Sequence, residues 1–147
     1  MTTPSEMHIG IAVATWNQTI TDRLLEGATT RCDEAGVGRV TILRVPGALE
    51  LPLGAQALAR RGCNAVVAIG AVIKGETDHY DIVVRESASG LSRVALDEGM
   101  PVANAILAVH DVSHALERSV AGEANKGIEA VDAALALVGA IQDLDIP

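Results

Sequence analysis

Short β-branched runs alternate with segments of helical periodicity along most of the chain. Residues 8–15, HIGIAVAT, read as a strand, and residues 19–35 then place Ile20, Leu24, Leu25, Ala28 and Cys32 on one helix face. Thr19 followed three residues later by Asp22 resembles a capping box, and Gly36 supplies the stop. The pair then repeats. Residues 39–45, RVTILRV, form a second strand that Pro46-Gly47 breaks, and a helix is expected from about Pro52 to Arg61, proline being tolerated in a first helical turn. AVVAIGAVI at 65–73 is a third strand. Residues 78–98 carry Ile82, Val83, Leu91, Val94, Ala95 and Leu96 at helical spacing, with Ser89-Gly90 as a point of interruption. Pro101 precedes a fourth strand, VANAILAV at 102–109, followed by a short helix at 111–119 and an Ala-rich helix at 126–143.

Strands that alternate with helices and are apolar on both faces predict a parallel sheet covered by helices on each side. The expected architecture is an α/β, flavodoxin-like three-layer sandwich on a four-stranded parallel sheet. No linker or low-complexity tract divides the 147 residues, so residues 1–147 read as one domain. In such a sheet ligands bind beyond the carboxyl ends of the strands. Thr15 to Asn17, Pro46 to Glu50, Ala71 to His79 and the end of the fourth strand are therefore the places to look for chemistry.

Composition narrows the partners. A chain of this length buries about 68–70% of the surface its unfolded form exposes, so its core needs neither disulfides nor a structural metal. Hydrophobic residues make up 49% and charged residues 20%, with a mean hydropathy of +0.30, which points to extra burial between subunits. The net charge of −8, without any Lys/Arg run, repels a phosphodiester backbone. Aromatic residues are 1%, so the stacking platform of single-strand binders is missing as well. The longest apolar stretch, Ala65 to Ile73, falls far short of the ~18 residues of a membrane span, and no signal segment opens the chain. A cytoplasmic protein with no nucleic acid or membrane partner is expected. Cys32 and Cys63 form no CxxC and read as reduced, partly buried thiols.

Several chemistries fail at the strand ends. The first turn, Ala14-Thr15-Trp16-Asn17-Gln18, has no glycine for close approach to a pyrophosphate, which disfavours a dinucleotide oxidoreductase. GAVIKGET at 70–77 spaces Gly70 and Gly75 like a P-loop, but Glu76 occupies the lysine position, so the cation required for nucleotide hydrolysis is lost. The first strand also lacks the paired terminal aspartates of a phospho-acceptor receiver.

Other features remain usable. Gly75, Glu76 and Thr77 open a helix and suit one small phosphate, although glycine turns before helices are also common punctuation. His79 lies two residues after Thr77 and is the best proton shuttle, because imidazole titrates near neutrality; a surface histidine of the first turn is the simpler alternative. Trp16 either stacks on a flat heterocycle or plugs an irregular loop. Glu50, in VPGALELP, either accepts hydrogen bonds from a ligand, with Ala48 and Leu49 offering backbone edges, or is simply solvated. Arg118 and Lys126 supply cations around Gly122, for a phosphate or for a helix dipole. His110 and His114 sit four apart in HDVSH without an evident third ligand and read as surface histidines, so no metal site is expected; His8 heads a strand and suggests nothing.

Five ordered blocks, TWN, VPGALELP, GAVIKGETDHYD, PVANAIL and LERS…NKGIEA, together resemble the lumazine synthase family over nearly the whole chain. The VPGAxExP and GxVIxGxTxHxD blocks are the most specific. The resemblance implies a transferase of riboflavin biosynthesis. It would condense 5-amino-6-(D-ribitylamino)uracil with 3,4-dihydroxy-2-butanone 4-phosphate to 6,7-dimethyl-8-ribityllumazine, without a cofactor. By residue match, Trp16 would stack on the pyrimidine, with Asn17 beside it. Ala48, Leu49 and Glu50 with Ala71, Val72 and Ile73 would line the pyrimidine and ribityl site. Gly75, Glu76 and Thr77 would hold phosphate, and His79 would transfer protons. Arg118 would reach the phosphate from a neighbouring subunit, with Lys126 adding positive potential.

The resemblance also implies homopentamers, in some members closed into sixty-subunit icosahedral shells, and an association with riboflavin synthase. Asn104 stands at the substrate position where many members carry an aromatic, which makes the ring stacking one-sided. His114 replaces a common Gln, and Trp16 a more frequent Phe. A flavin or pterin carrier on the same crevice, or a shell protein without catalysis, is the alternative to the enzyme.

Overall fold

The computed structural model describes residues 2–145. Four strands, β1 (His8–Ala14), β2 (Arg39–Val45), β3 (Ala65–Ile73) and β4 (Val102–Val109), lie parallel in the order β2-β1-β3-β4. Ala14 pairs with Val45 and Ile73 with Val109, so the carboxyl ends of neighbouring strands come together along one edge. Three α-helices connect them, α1 (Gln18–Glu34), α2 (Leu51–Ala59) and α3 (His79–Glu98), and two follow the last strand, α4 (Val112–Glu117) and α5 (Lys126–Asp143). This is the flavodoxin-like α/β sandwich expected from the alternation of periods.

The two central strands explain why their sequences are apolar without interruption. Ile9, Ile11 and Val13 of β1, with Val67 and Ile69 of β3, point to one face, where they meet Leu24 and Ala28 of α1 and Val131 and Ala134 of α5. Ala12, Val66 and Ala68 point to the other, against Leu51, Ala55 and Leu58 of α2 and Leu91 and Val94 of α3. A strand between two helical layers must be apolar at every position. The edge strand β2 departs from the expectation of burial on both faces. It alternates between exposed and half-buried, and Ile42 is left exposed in the single chain.

Local expectations needed correction at several points. Thr19 and Asp22 do not cap α1: the helix begins at Gln18, behind Asn17 in the left-handed region at φ 60°. α2 starts one residue before Pro52 and ends at Ala59, and the short helix contracts to Val112–Glu117. Ser89-Gly90 does not interrupt α3; a Cβ at Gly90 would lie 2.6 Å from Pro52 Cγ, so this glycine lets α2 and α3 pack closely. On α3 the buried residues are Val83, Ser87, Leu91 and Val94, whereas Ile82 and Leu96 face outward.

Both cysteines are buried, Cys32 at 1% exposure and Cys63 at 7%, and neither is in a disulfide. Burial, with the Asp33 carboxylate adding to it, pushes the Cys32 thiol up to about 11, which leaves it unreactive at neutral pH. Burial also raises the Cys63 thiol, against an opposing pull from Arg39.

His8 has neighbours that its sequence position did not announce. Its Nε2 lies 2.6 Å from Thr41 Oγ1 and 3.8 Å from Cys63 Sγ, and its backbone N–H donates to Asn64 Oδ1 at 2.7 Å. Desolvation, then the charge of Arg39, holds the imidazole below its ordinary value of 6.5. The unfolded chain therefore binds the proton first as pH falls through about 6.5, so the stability contributed by neutral His8 is present above that pH and lost as acidity increases. The unfolding midpoint of the protein is expected to drop more between about pH 7 and about pH 5 than that of His8→Gln, measured by thermal scans at matched concentration. Equal slopes would remove His8 from the acid sensitivity.

Candidate functional site

At the end of β1 the chain turns through Thr15-Trp16-Asn17 before entering α1. The backbone amides of Thr15 and Trp16 donate to the carbonyl of Pro46 at 3.1 and 2.9 Å, which fastens the turn to the end of β2. On its other side, Asn17 Nδ2 donates to the carbonyl of Ala71 at 2.8 Å, at the end of β3. Asparagine tolerates the left-handed conformation better than most residues. Its amide here ties down the turn as well as allowing it.

Pro46-Gly47 ends β2, and Ala48–Glu50 forms a 3₁₀ turn that runs into α2. Glu50 reaches back to accept the Gly47 N–H on Oε1 at 3.1 Å. The opposite wall is the end of β3 and the start of α3. Ala14, Trp16, Asn17, Gly47, Ala48, Leu49, Glu50, Ala71, Val72, Ile73, His79 and Val83 together line one cavity of about 260 Å³. It sits at the carboxyl ends of β1 and β3, where the fold class places ligands. Mostly apolar walls with a few convergent polar groups, here Asn17, Glu50 and His79, are the usual make-up of a small-molecule site. Trp16 is 63% exposed, so its indole is not a loop plug and offers a face to the cavity.

Gly75, Glu76 and Thr77 are exposed in the connection from β3 to α3. Asp78, in the cap position of α3, contributes no side-chain cap; instead the His79 N–H donates to Thr77 Oγ1 at 3.4 Å. Gly75 has neither a positive φ nor any atom within 4 Å of the place of a Cβ, so packing within the chain does not require glycine there. The first turn of this long helix is a favourable place for an anion.

Arg118 and Lys126 do not join that cavity. With Ile106 to Val109, Ala124 and Glu129 they line a separate one of about 340 Å³ beside the end of β4. Arg118 Nη1 donates to the carbonyl of His114 at 3.0 Å, and Lys126 Nζ pairs with Glu129 at 2.9 Å. Asn104 is exposed on the edge strand β4 and accepts the Ile106 N–H at 2.8 Å, lining neither space. Within one chain the candidate residues are thus divided between two cavities, with Asn104 and Gly75 to Thr77 lining neither.

Ala14, Gly47 and Val83 are the wall residues that sequence reading missed. Val83 follows His79 by four positions, so helical spacing placed both on one face of α3. Gly47 lies in the Pro46 to Glu50 stretch and in the VPGAxExP block, but its residue type read only as a turn. His110 is exposed, as expected, and its ring also packs edge-on to Tyr80 with centroids 5.6 Å apart, linking the first turn of α3 to the end of β4. A larger groove of about 680 Å³ between α1 and residues 119–128 mixes Arg23 and Arg31 with Glu26, Glu34 and Glu123 and includes none of the candidate residues. Among the described residues there is no cluster of three or more His, Cys, Asp or Glu that could hold a metal, and no helix long and apolar enough to cross a membrane.

Comparison with known proteins identifies relatives of the whole chain. A family model described as 6,7-dimethyl-8-ribityllumazine synthase matches residues 6–142. Proteins of that name from Mycolicibacterium gilvum and Saccharopolyspora erythraea are 44% and 43% identical over 146 and 141 residues. The alignments cover 97% and 95% of this chain and 90% and 85% of theirs. One from Mycobacteroides abscessus is 46% identical over 133 residues, covering 89% of this chain and 82% of its own.

Proposed function

The chain belongs to the 6,7-dimethyl-8-ribityllumazine synthase family, transferases of riboflavin biosynthesis, and we propose that the Trp16–Glu50–His79 crevice is where its two substrates meet. The chain condenses 5-amino-6-(D-ribitylamino)uracil with 3,4-dihydroxy-2-butanone 4-phosphate. What carries the assignment of the site is the convergence of an exposed indole, a carboxylate and an imidazole in one cavity at the carboxyl ends of the strands.

In this reading the pyrimidine lies on Trp16, with its polar edges toward the backbone of Ala48, Leu49 and Ala71 to Ile73, and Asn17 alongside. Glu50 accepts from the ribityl hydroxyls on the oxygen not engaged by Gly47. The amine attacks the ketone, and loss of water gives an imine. Phosphate then departs, and ring closure onto the second nitrogen releases water again. No electrons are exchanged with an outside partner, so the sequence of bonds made and broken calls for alignment and proton transfer. His79 is placed to take and return those protons. Gly75, Glu76 and Thr77, at the start of α3, are placed to receive the phosphate.

The cations complete the site from a second copy. Arg118 and Lys126 line a different cavity in their own chain, while Trp16 and Leu49 leave apolar surface exposed at the crevice. With the exposed edge of β2, this supports a site shared between two copies, the guanidinium of one facing His79 of the next; that the copies number five is proposed on the family resemblance. Closure into a sixty-subunit shell, association with riboflavin synthase and a cytoplasmic location are proposed on the family resemblance. Asn104, on the exposed edge of β4, is assigned to the pyrimidine side of the same shared site.

Mixing both substrates should release inorganic phosphate in step with lumazine fluorescence, and neither substrate alone should do so; absence of phosphate release would refute the reading. Arg118→Ala is expected to raise the KM for the phosphate substrate by roughly 10- to 100-fold, the loss of one charge-assisted contact, with the KM for the pyrimidine unchanged. An unchanged KM for the phosphate substrate would reject the role of Arg118.

A further inference from the structure

Gly47 is a glycine without a backbone reason. Its φ of −137° and ψ of −177° are extended, a conformation open to every residue. The turn it belongs to is already fixed, by the Trp16 N–H on the Pro46 carbonyl and by the Gly47 N–H on Glu50. What forbids a side chain is the indole. A Cβ built on Gly47 would fall 2.4 Å from Trp16 Cε3 and 2.6 Å from Cζ3, far inside van der Waals contact. The six-membered ring of Trp16 therefore rests directly on the main chain of residue 47.

We infer that Gly47 is a positioning residue for the pyrimidine substrate: its bare backbone seats the Trp16 ring and so sets the plane on which the heterocycle stacks. The inference rests on the proposed site and deepens it. Trp16 is held at its own backbone, by Pro46 on one side and by the Asn17 clamp on Ala71 on the other, but 63% of the residue is open to solvent. The exposed ring can swing. Any Cβ at 47 must push the ring outward, because the ring is the movable partner and the main chain is fixed by its hydrogen bonds. A tilted ring loses the parallel overlap on which stacking depends, whereas the core stays intact.

The test uses Trp16 as its own reporter, since the chain has a single tryptophan. Gly47→Ala in the intact oligomer should shift the emission and lower the anisotropy of the unliganded protein, with an unfolding midpoint close to that of the parent. Its KM for the pyrimidine should rise several-fold, up to about tenfold, the loss of a well-aligned ring stack. The KM for the phosphate substrate should not move. Trp16→Phe removes the outer ring atoms that a Cβ would strike, so adding Gly47→Ala to Trp16→Phe should cost little more than Trp16→Phe alone. Unchanged emission and pyrimidine KM in Gly47→Ala, or an equal penalty in both backgrounds, would overturn the inference. If the parent protein itself released no phosphate, the proposed function would fail while the emission shift still judged the ring seat.

Discussion

His79→Ala is expected to lower kcat about 100-fold, near the lower bound of what a positioned acid–base group supplies, and to leave turnover well above the uncatalysed rate. The residual activity has a physical source. In the proposed site the walls of the crevice, formed by strand ends and the starts of α1, α2 and α3, would still hold the amine and the ketone close together, and such alignment alone can provide roughly 7–11 kcal/mol. His79 lies on the wall of the cavity without anchoring it, its backbone N–H bonding to Thr77 and its neighbour Tyr80 packing against His110. Both KM values should therefore stay within about threefold. The pH dependence of kcat should flatten in the variant, and added imidazole should restore part of the rate. A kcat equal to that of the parent would remove His79 from the chemistry.

Asn125→Ala should be strongly destabilising although it lies outside the crevice. Asn125 is 1% exposed, and its side chain is fully engaged. Oδ1 caps α5 by accepting the N–H groups of Gly127 at 2.8 Å and Ile128 at 3.3 Å. Nδ2 donates to the carbonyls of Ser119 at 3.0 Å and Arg23 at 3.2 Å, which ties α1 to the turn after α4. The fit is close, since a Cβ at Gly27 of α1 would lie 2.5 Å from Oδ1. Alanine leaves buried donors and acceptors unpaired and removes a helix cap together, for an expected loss of about 3 kcal/mol. For a domain of this size that lowers the midpoint by roughly 10 °C. Thermal unfolding at fixed protein concentration checks it, and a shift under about 2 °C would show that water replaces the network.

The architecture was legible because it rests on periodicity, which is local. The alternation of short apolar, β-branched runs with segments of 3.6-residue periodicity marks the strands and helices, and the strands that are apolar throughout identify the covered centre of the sheet. Of the candidate site, the sequence could indicate residue types at strand ends: an aromatic ring at Trp16, a carboxylate at Glu50, a histidine after a glycine turn. It could not weigh them against their plain alternatives, because those differ only in what surrounds the side chain.

Contacts between distant residues were decided by the tertiary structure. Thr19 and Asp22 have the spacing of a cap, yet α1 starts before them because Asn17 is drawn to the Ala71 carbonyl, 54 positions away. Gly90 and Gly47 look like punctuation in one dimension and are sites of close approach in three, to Pro52 and to Trp16. Arg118 and His79 belong to one motif set in the chain but to separate cavities in the fold. Sequence alone determined which segments fold and toward which face they turn, since apolar spacing carries that information along the backbone. Which polar groups meet, and which glycines make room for them, depends on how the layers stack, and stacking is a property of the assembled sheet and helices.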